Sequence, residues 1–345
     1  MKRCTRCIFP ETLPGIEFDE EGVCNHCRDF KSEDVDLTEV ELKGRFDRIR
    51  RIGSKYDAVV PLSGGRDSTY ALYLARKVYG LNVLAVNYDN EFQTSYAKSN
   101  MESASRILDV DLVVIRSKRD IAKKVVKQNM LCSTEKEMFG VCRACSYGYR
   151  SAVFREVKKR NIPAIIWGGT RGEKTTDISE RVNRHLKGDF KKKKNIHNLL
   201  YEYYFLLQRT EFPVEGNPFY YRRSPTLKDP KIDQIYIYDY LGWDREKIKK
   251  VINEELNWKK PDSTVSTWRI DCTLTPLINY CYLKLYGCTK ACFGYHKMIN
   301  YGTMERELAL KQELELSWGI DIEDIRRIAV DEIGISEKKA LELIG

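Results

Sequence analysis

The stretch Asp57-Ala58-Val59-Val60-Pro61-Leu62-Ser63-Gly64-Gly65-Arg66-Asp67-Ser68-Thr69-Tyr70-Ala71-Leu72 decides the fold. Its apolar opening predicts a buried strand, the glycines a tight turn, and the segment from Thr69 to Arg76 a helix. A strand feeding a helix through such a turn aims backbone N–H groups and a positive helix end at one point, where an anion fits. Gly64 and Gly65 permit positive φ and close approach of a ligand to the backbone. Ser63 and Ser68 add hydroxyl donors, and Asp67 can hold a metal-bound water or Mg²⁺ itself. The chemistry implied is recognition of a nucleotide's phosphates. No Lys follows the glycines, so this is not the Lys-bearing phosphate loop of the G-x-x-x-x-G-K-[ST] type.

Working outward, strands and helices alternate. Asn82–Tyr88, Asp111–Ile115 and Ala164–Trp167 read as strands; Ser95–Leu108, Arg119–Asn129 and Tyr149–Arg160 read as helices. That rhythm predicts a doubly wound parallel α/β sheet. Ligands in such sheets bind beyond the strand carboxyl ends. The Ser63 loop, Asn87-Tyr88-Asp89 and Gly168-Gly169-Thr170 are therefore expected to ring one pocket. Arg171, Glu173 and Lys174 follow on its rim, as ligand contacts or as a solvated loop.

The chain has eleven cysteines, which in a reducing compartment read as metal ligands, catalytic thiols or small buried residues. Cys4-x2-Cys7 and Cys24-x2-Cys27 are separated by sixteen residues, a spacing suited to a closed four-thiolate structural zinc site. Pro10, Pro14 and Gly15 give turns between them, Ile16–Phe18 is a short strand candidate, and His26 is read as a neighbour. A second pair, Cys142-x2-Cys145, precedes the Tyr149 helix. Cys288 and Cys292, one helical turn apart, are expected to face the core.

In 345 residues with a net charge of +9, the chain can bury a sizeable core and attract anionic ligands or nucleic acid. Lys191–Lys194, beside Arg181, Arg184 and Lys187, reads as a solvated loop or a phosphate patch. The Tyr201–Phe205 stretch is read as core packing or base stacking, and Pro213, Gly216 and Pro218 mark turns. Neither a signal-peptide pattern nor a membrane-length apolar run occurs, so a cytoplasmic location is expected. Residues 1–30 are expected to form a zinc segment, 31–55 a bridging helix with Leu37, Val40, Leu42, Phe46 and Ile49 inward, 56–177 a nucleotide-binding α/β domain, 178–260 a mixed insertion, and 261–345 a helical region ending in Ile322–Ile333 and Glu337–Ile344.

Two resemblances add to this reading. Ser63-Gly64-Gly65-Arg66-Asp67-Ser68 resembles the PP-loop of the ATP pyrophosphatases, which cleave ATP between the α and β phosphates and adenylylate a substrate oxygen. That implies ATP and Mg²⁺, nucleotide binding by Ser63, Gly64, Gly65, Arg66, Asp67, Ser68, Asn87 and Gly168, and catalytic roles for Ser63 and Asp67. The text Cys4-Thr5-Arg6-Cys7-Ile8-Phe9-Pro10, with Phe18–Cys27, Val60–Tyr70, Ile165–Gly168, Met298–Gly302 and Arg306-Glu307, resembles the N-acetyl sugar amidotransferases of surface-polysaccharide biosynthesis. That family converts an N-acetyl sugar's acetamido group to an acetamidino group, with ammonia supplied by a separate glutaminase and its cyclase-like partner. The Cys142/Cys145 pair departs from that pattern. It resembles instead the PP-loop tRNA thiolases, where such a pair and one distant cysteine hold an iron–sulfur cluster. Cys272 is the candidate third ligand of a 4Fe-4S cluster, with Cys132, Cys281, Cys288 and Cys292 as alternatives, and tRNA would then be the substrate.

Overall fold

The computed structural model describes residues 1–30, 37–116, 121–131, 141–169, 231–262, 267 and 269–344. Five parallel strands, β1 (Ala58–Pro61), β2 (Val83–Asp89), β3 (Asp111–Arg116), β4 (Ala164–Trp167) and β5 (Asp233–Tyr236), pair in the order β3-β2-β1-β4-β5. Ala58 registers with Val83 on one side and with Ala164 on the other. The order reverses between β1 and β4, the switch point at which doubly wound sheets open a crevice.

Residue alternation shows why these strands read as continuous apolar runs. Ala58, Val60, Val83, Ala85, Ala164 and Ile166 join the core on one face. Val59, Leu84, Val86, Ile165 and Trp167 join the core on the other. Both faces are covered, so neither needs polar residues. On the first face pack α2 (Glu39–Arg51), α3 (Arg66–Tyr73), α4 (Ser95–Ile107) and the helix Arg245–Leu256. On the second lies the long helix α6 (Val141–Arg160), which buries Val153, Phe154 and Val157. Between α4 and α6 runs α5 (Ile121–Leu131).

The bridging helix is shorter than its amphipathic pattern suggested. Thr38 caps it: its hydroxyl accepts from the Glu41 N–H, while the Glu41 carboxylate takes the Thr38 N–H, a reciprocal cap that fixes the start. Leu42, Phe46 and Ile49 point inward, whereas Val40 is 78% exposed. Val40 stands half a turn from that stripe. The helix expected over Tyr149–Arg160 begins two turns earlier, placing Cys142 and Cys145 in its first turns.

The segment read as an insertion supplies the sheet's fifth strand. Asp233–Tyr236 is short and half polar, so no apolar run announced it. It is followed by α7 (Tyr238–Leu241) and α8 (Arg245–Leu256). Lys191–Lys194, Arg181, Arg184, Lys187, Tyr201–Phe205, Pro213, Gly216, Pro218, Thr170, Arg171, Glu173, Lys174 and Cys132 lie outside the described residues.

The C-terminal region is helical as the sequence predicts: α9 (Thr275–Tyr286), α10 (Ala291–Asn300), α11 (Arg306–Trp318), α12 (Ile322–Arg327) with the π-helical turn Ile328–Ile333, and α13 (Glu337–Ile344). Part of it covers α5, through Val126 and Met130. Another part packs on the N-terminal cysteine segment, which contributes α1 (Asn25–Arg28), through Tyr286, Ala291, Phe293 and Tyr295. Cys288 and Cys292 are buried in that second contact. Among the described residues no helix is long and apolar enough to cross a membrane.

Candidate nucleotide and metal sites

The loop after β1 sits at the switch point. Gly64 has φ +78°, and a Cβ there would stand 2.1 Å from the Ala97 carbonyl oxygen, so neither backbone shape nor space admits a side chain. Its own carbonyl accepts from the Trp258 indole at 3.0 Å and from Asn100 Nδ2 at 3.2 Å. Asn87 Nδ2, at the end of β2, holds the Leu62 carbonyl at 2.7 Å. Its Oδ1 is buried with no partner among the described residues. Gly168 comes from β4: a Cβ there would lie 2.9 Å from both the Asp67 carbonyl oxygen and Ser68 Cα. The ends of β1, β2 and β4 thus meet at one place, as the topology rule required.

Within the loop, Ser63 Oγ and Ser68 Oγ are 3.1 Å apart, and Ser63 Oγ accepts from the Gly65 N–H at 3.3 Å. These are local bonds that an incoming phosphate can replace. The N–H groups at the start of α3 lack intrahelical partners by construction. Arg66 turns its guanidinium away from the loop. It forks onto both Asp67 oxygens at 2.8 and 2.9 Å, donates to Thr267 Oγ1 at 2.7 Å, and lies 4.7 Å from the Trp243 ring centre. Burial works against that charge and Asp67 more than restores it. The Trp243 indole adds a third donor to the Asp67 carboxylate at 3.0 Å.

At the N-terminus the sulfurs of Cys4, Cys7, Cys24 and Cys27 lie within 4.8 Å of one another, all buried. The Cys4–Cys27 and Cys7–Cys24 separations are 3.9 and 3.8 Å. A tetrahedral ion with bonds of about 2.3 Å to sulfur needs sulfur edges of about 3.8 Å. Backbone N–H groups of Cys7 and Cys24 point at Cys4 Sγ, at 3.4 and 3.2 Å. Helix α10 adds Asn300 Nδ2 at 3.4 Å from Cys27 Sγ and His296 Nδ1 at 3.7 Å. Such outer donors offset the charge of four thiolates. His26 packs edge-on against Phe9 and is not among the four ligands. The site could bind a metal and, when filled, has no open position.

The second cysteine group is built differently. Cys142 Sγ accepts from Arg269 Nη1 at 3.7 Å, and Cys145 Sγ from Asn90 Nδ2 at 3.3 Å. Cys272 stands within electrostatic reach of both. All three are half-buried. Burial alone would raise the Cys142 thiol, but Lys290 and Arg269 bring it below the ordinary range. Burial, with Cys142 adding to it, pushes Cys145 up to about 11. Among the described residues, only the N-terminal quartet has ligand atoms gathered within 4.8 Å. The trio is spread wider than a single tetrahedral ion allows.

Sequence reasoning passed over Trp258, Asn100, Trp243, Lys290 and Asp271. Only Asp271 stood next to a residue already singled out, Cys272. The others reach the loop or the thiols by tertiary packing across 36 to 194 positions of chain, which no local pattern reports.

No family model matches the chain. An uncharacterized protein of Methanocaldococcus jannaschii is 25% identical over 170 residues, covering 48% of this chain and 58% of the relative. The chain thus spans little more than half the length of that relative. Among solved structures, the U34-tRNA thiolase NcsA from Methanococcus maripaludis with its 4Fe-4S cluster is similar at TM-score 0.38 and 14% identity, covering 90% of this chain and 89% of that one. NMN synthetase from Francisella tularensis is similar at TM-score 0.36 and 13% identity, covering 89% and 98%. Likenesses this distant say nothing of chemistry.

Proposed function

We propose that the chain is an ATP-dependent, AMP-forming transferase of the PP-loop type. The observation that supports it is the loop itself: a glycine turn at the switch point opening a helix, with two hydroxyls bonded to each other and to the loop's own backbone. Pyrophosphate is the leaving group such a cradle suits. Gly64, Gly65, the N–H groups of Arg66 and Asp67, Ser63 and Ser68 would hold it, while Asn87 and Gly168 shape the walls. Ser63 would donate to charge developing on the departing phosphate, and Asp67 would face the Mg²⁺ shell or hold Arg66 in place. Zinc would fill the N-terminal quartet as a structural ion.

For the acceptor, the resemblance to N-acetyl sugar amidotransferases supports amidino transfer, with the sugar carried on a nucleotide. The acetamido oxygen attacks the α phosphorus, forming an O–P bond and releasing pyrophosphate. Ammonia then adds to the imidate carbon, AMP leaves, and the lost proton goes to solvent. Most ammonia is ammonium at neutral pH, which is why a glutaminase and its cyclase-like partner would supply it directly.

One observation favours a second reading, sulfur transfer to tRNA. Cys142, Cys145 and Cys272 gather with Arg269 and Lys290 close to the loop, through the turn that carries Asp271. Those three thiols would hold a 4Fe-4S cluster, whose chemistry is to carry sulfide at an iron left without a protein ligand. Product analysis tests the shared claim: ATP should give AMP and pyrophosphate, and ADP as the sole nucleotide product would end both readings. Iron and sulfide in anaerobically purified protein separate the two.

A further inference from the structure

The turn from Arg269 to Thr273 is fastened to the chain that follows β2. Thr94 donates its N–H to the Asp271 carbonyl at 3.3 Å and its hydroxyl to the Ile270 carbonyl at 2.8 Å. The Thr273 N–H reaches the Phe92 carbonyl at 2.9 Å, and Cys272 bridges to Gln93. Arg269 adopts φ +47°, a left-handed shape uncommon outside glycine. These constraints fix where the Asp271 side chain goes. Its Oδ2 lies 3.3 Å from the place a Cβ on Gly65 would occupy, and Ser63 Oγ lies 3.2 Å from that same place.

A carboxylate at the mouth of an anion cradle is a repulsive arrangement unless something positive stands between. Arg269 meets that need only in part: its guanidinium feels the Asp271 charge, but it donates to Cys142 Sγ. Among the described residues, the Asp271 carboxylate takes part in no hydrogen bond or ion pair. Asp67 differs: both of its oxygens are occupied by Arg66, and one also by Trp243. Hard divalent cations take carboxylate and phosphate oxygens together.

We propose that Asp271 is a cation ligand of the loop site, sharing with the phosphates of bound ATP the Mg²⁺ that enters with the nucleotide. This rests on the nucleotide reading of the loop. It gives the turn a purpose: Arg269 serves the thiols, Asp271 serves the metal–phosphate complex, and Thr94 holds the spacing between them.

The test uses the full chain, Mn²⁺ as a paramagnetic stand-in for Mg²⁺, and the non-hydrolysable α,β-methylene analogue of ATP. Analogue affinity is measured in EDTA and again with metal, and Mn²⁺ affinity of the ternary complex by electron paramagnetic resonance. Asp271→Asn should weaken Mn²⁺ in the ternary complex by about tenfold or more, with EDTA-state analogue binding unchanged or tighter once the repelling charge is gone. Asp271→Ser, which cannot mimic the carboxylate through an amide oxygen, should show the same pattern. Unaltered Mn²⁺ affinity in both variants overturns the cation role while leaving nucleotide binding intact. Equal weakening with and without metal also overturns it, since that marks a part in shaping the loop. Failure of the unsubstituted chain to bind the analogue in either condition overturns the nucleotide reading and this proposal together.

Discussion

The N-terminal cysteine quartet and the trio Cys142, Cys145 and Cys272 put the same side chain to contrasting uses. In the quartet, sulfurs approach to 3.8 and 3.9 Å and every one is buried. Backbone N–H groups and α10 side chains supply the surrounding donors. In the trio, the thiols are half-buried and more widely spaced, and full cations, Arg269 and Lys290, stand beside one of them. The first arrangement could close around one ion; the second does not gather its sulfurs tightly enough for that. Cysteine count and spacing alone do not separate such sites; the dipoles and charges around the sulfurs do.

The largest expected effect lies in the quartet. Cys27→Ser should abolish stoichiometric zinc and unfold or aggregate the N-terminal segment, because metal binding worth on the order of 10 kcal/mol supplies its folding energy. Elemental analysis and thermal unfolding with and without chelator would check this. Undiminished zinc in the variant would break the comparison at its stronger end.

A smaller effect is expected at the trio. If nitrogen is transferred, anaerobically purified protein should be colourless, with zinc only, and Cys142→Ala should cost about 1 kcal/mol by lost packing. If sulfur is transferred, the protein should be brown, and Cys142→Ala should lose iron and activity together. An iron-free wild type whose Cys142→Ala variant is inactive would mark the thiol as a sulfur carrier or substrate contact. Metal content, absorbance and denaturant melts, with the variant's activity, distinguish the three outcomes.

The smallest effect concerns Glu313, buried on α11 where it accepts from the Thr289 N–H and hydroxyl, both at 2.6 Å. Burial raises its carboxyl above the ordinary range, with Thr289 offsetting part of the rise. The native state therefore keeps this proton to higher pH than the unfolded chain does. The stability it lends is complete below the unfolded value and fades as pH rises through the native one. Glu313→Gln keeps both hydrogen bonds without the charge. It should be more stable than wild type, by a margin larger at about pH 7.5 than at about pH 5. Parallel melts with zinc saturating would show it, and a margin independent of pH would refute the assignment.

Local chemistry made much of this architecture legible. The strands are uniformly apolar because both faces are covered, and the glycine turn and the four-cysteine spacing act over a few residues. What escaped was set by distance or by brevity. β5 has only Ile235 fully buried, too little for a pattern. Val40, between Glu39 and Glu41, faces outward because it is out of phase with the stripe of Leu42, Phe46 and Ile49. Trp258 and Trp243 reach the loop from 194 and 176 positions away. Asp67, legible as a charged loop residue, proved to be clasped by the arginine beside it, and no sequence pattern distinguishes a free carboxylate from a clasped one.

The knuckles at the N-terminus lean on residues made much later. Cys27 meets His296 across 269 positions, Thr12 meets the Tyr286 carbonyl across 274, and Arg306 donates to the Cys4 and Cys7 carbonyls across 302 and 299. At a synthesis rate of roughly 5–20 residues per second, the cysteine segment waits roughly 15–55 s for the surface that will cover it. During that interval four thiols are open to air, to peroxide and to one another. An ion captured early would shield them, so with the quartet as a metal site, metal supply during translation would bear on how many copies reach the finished fold.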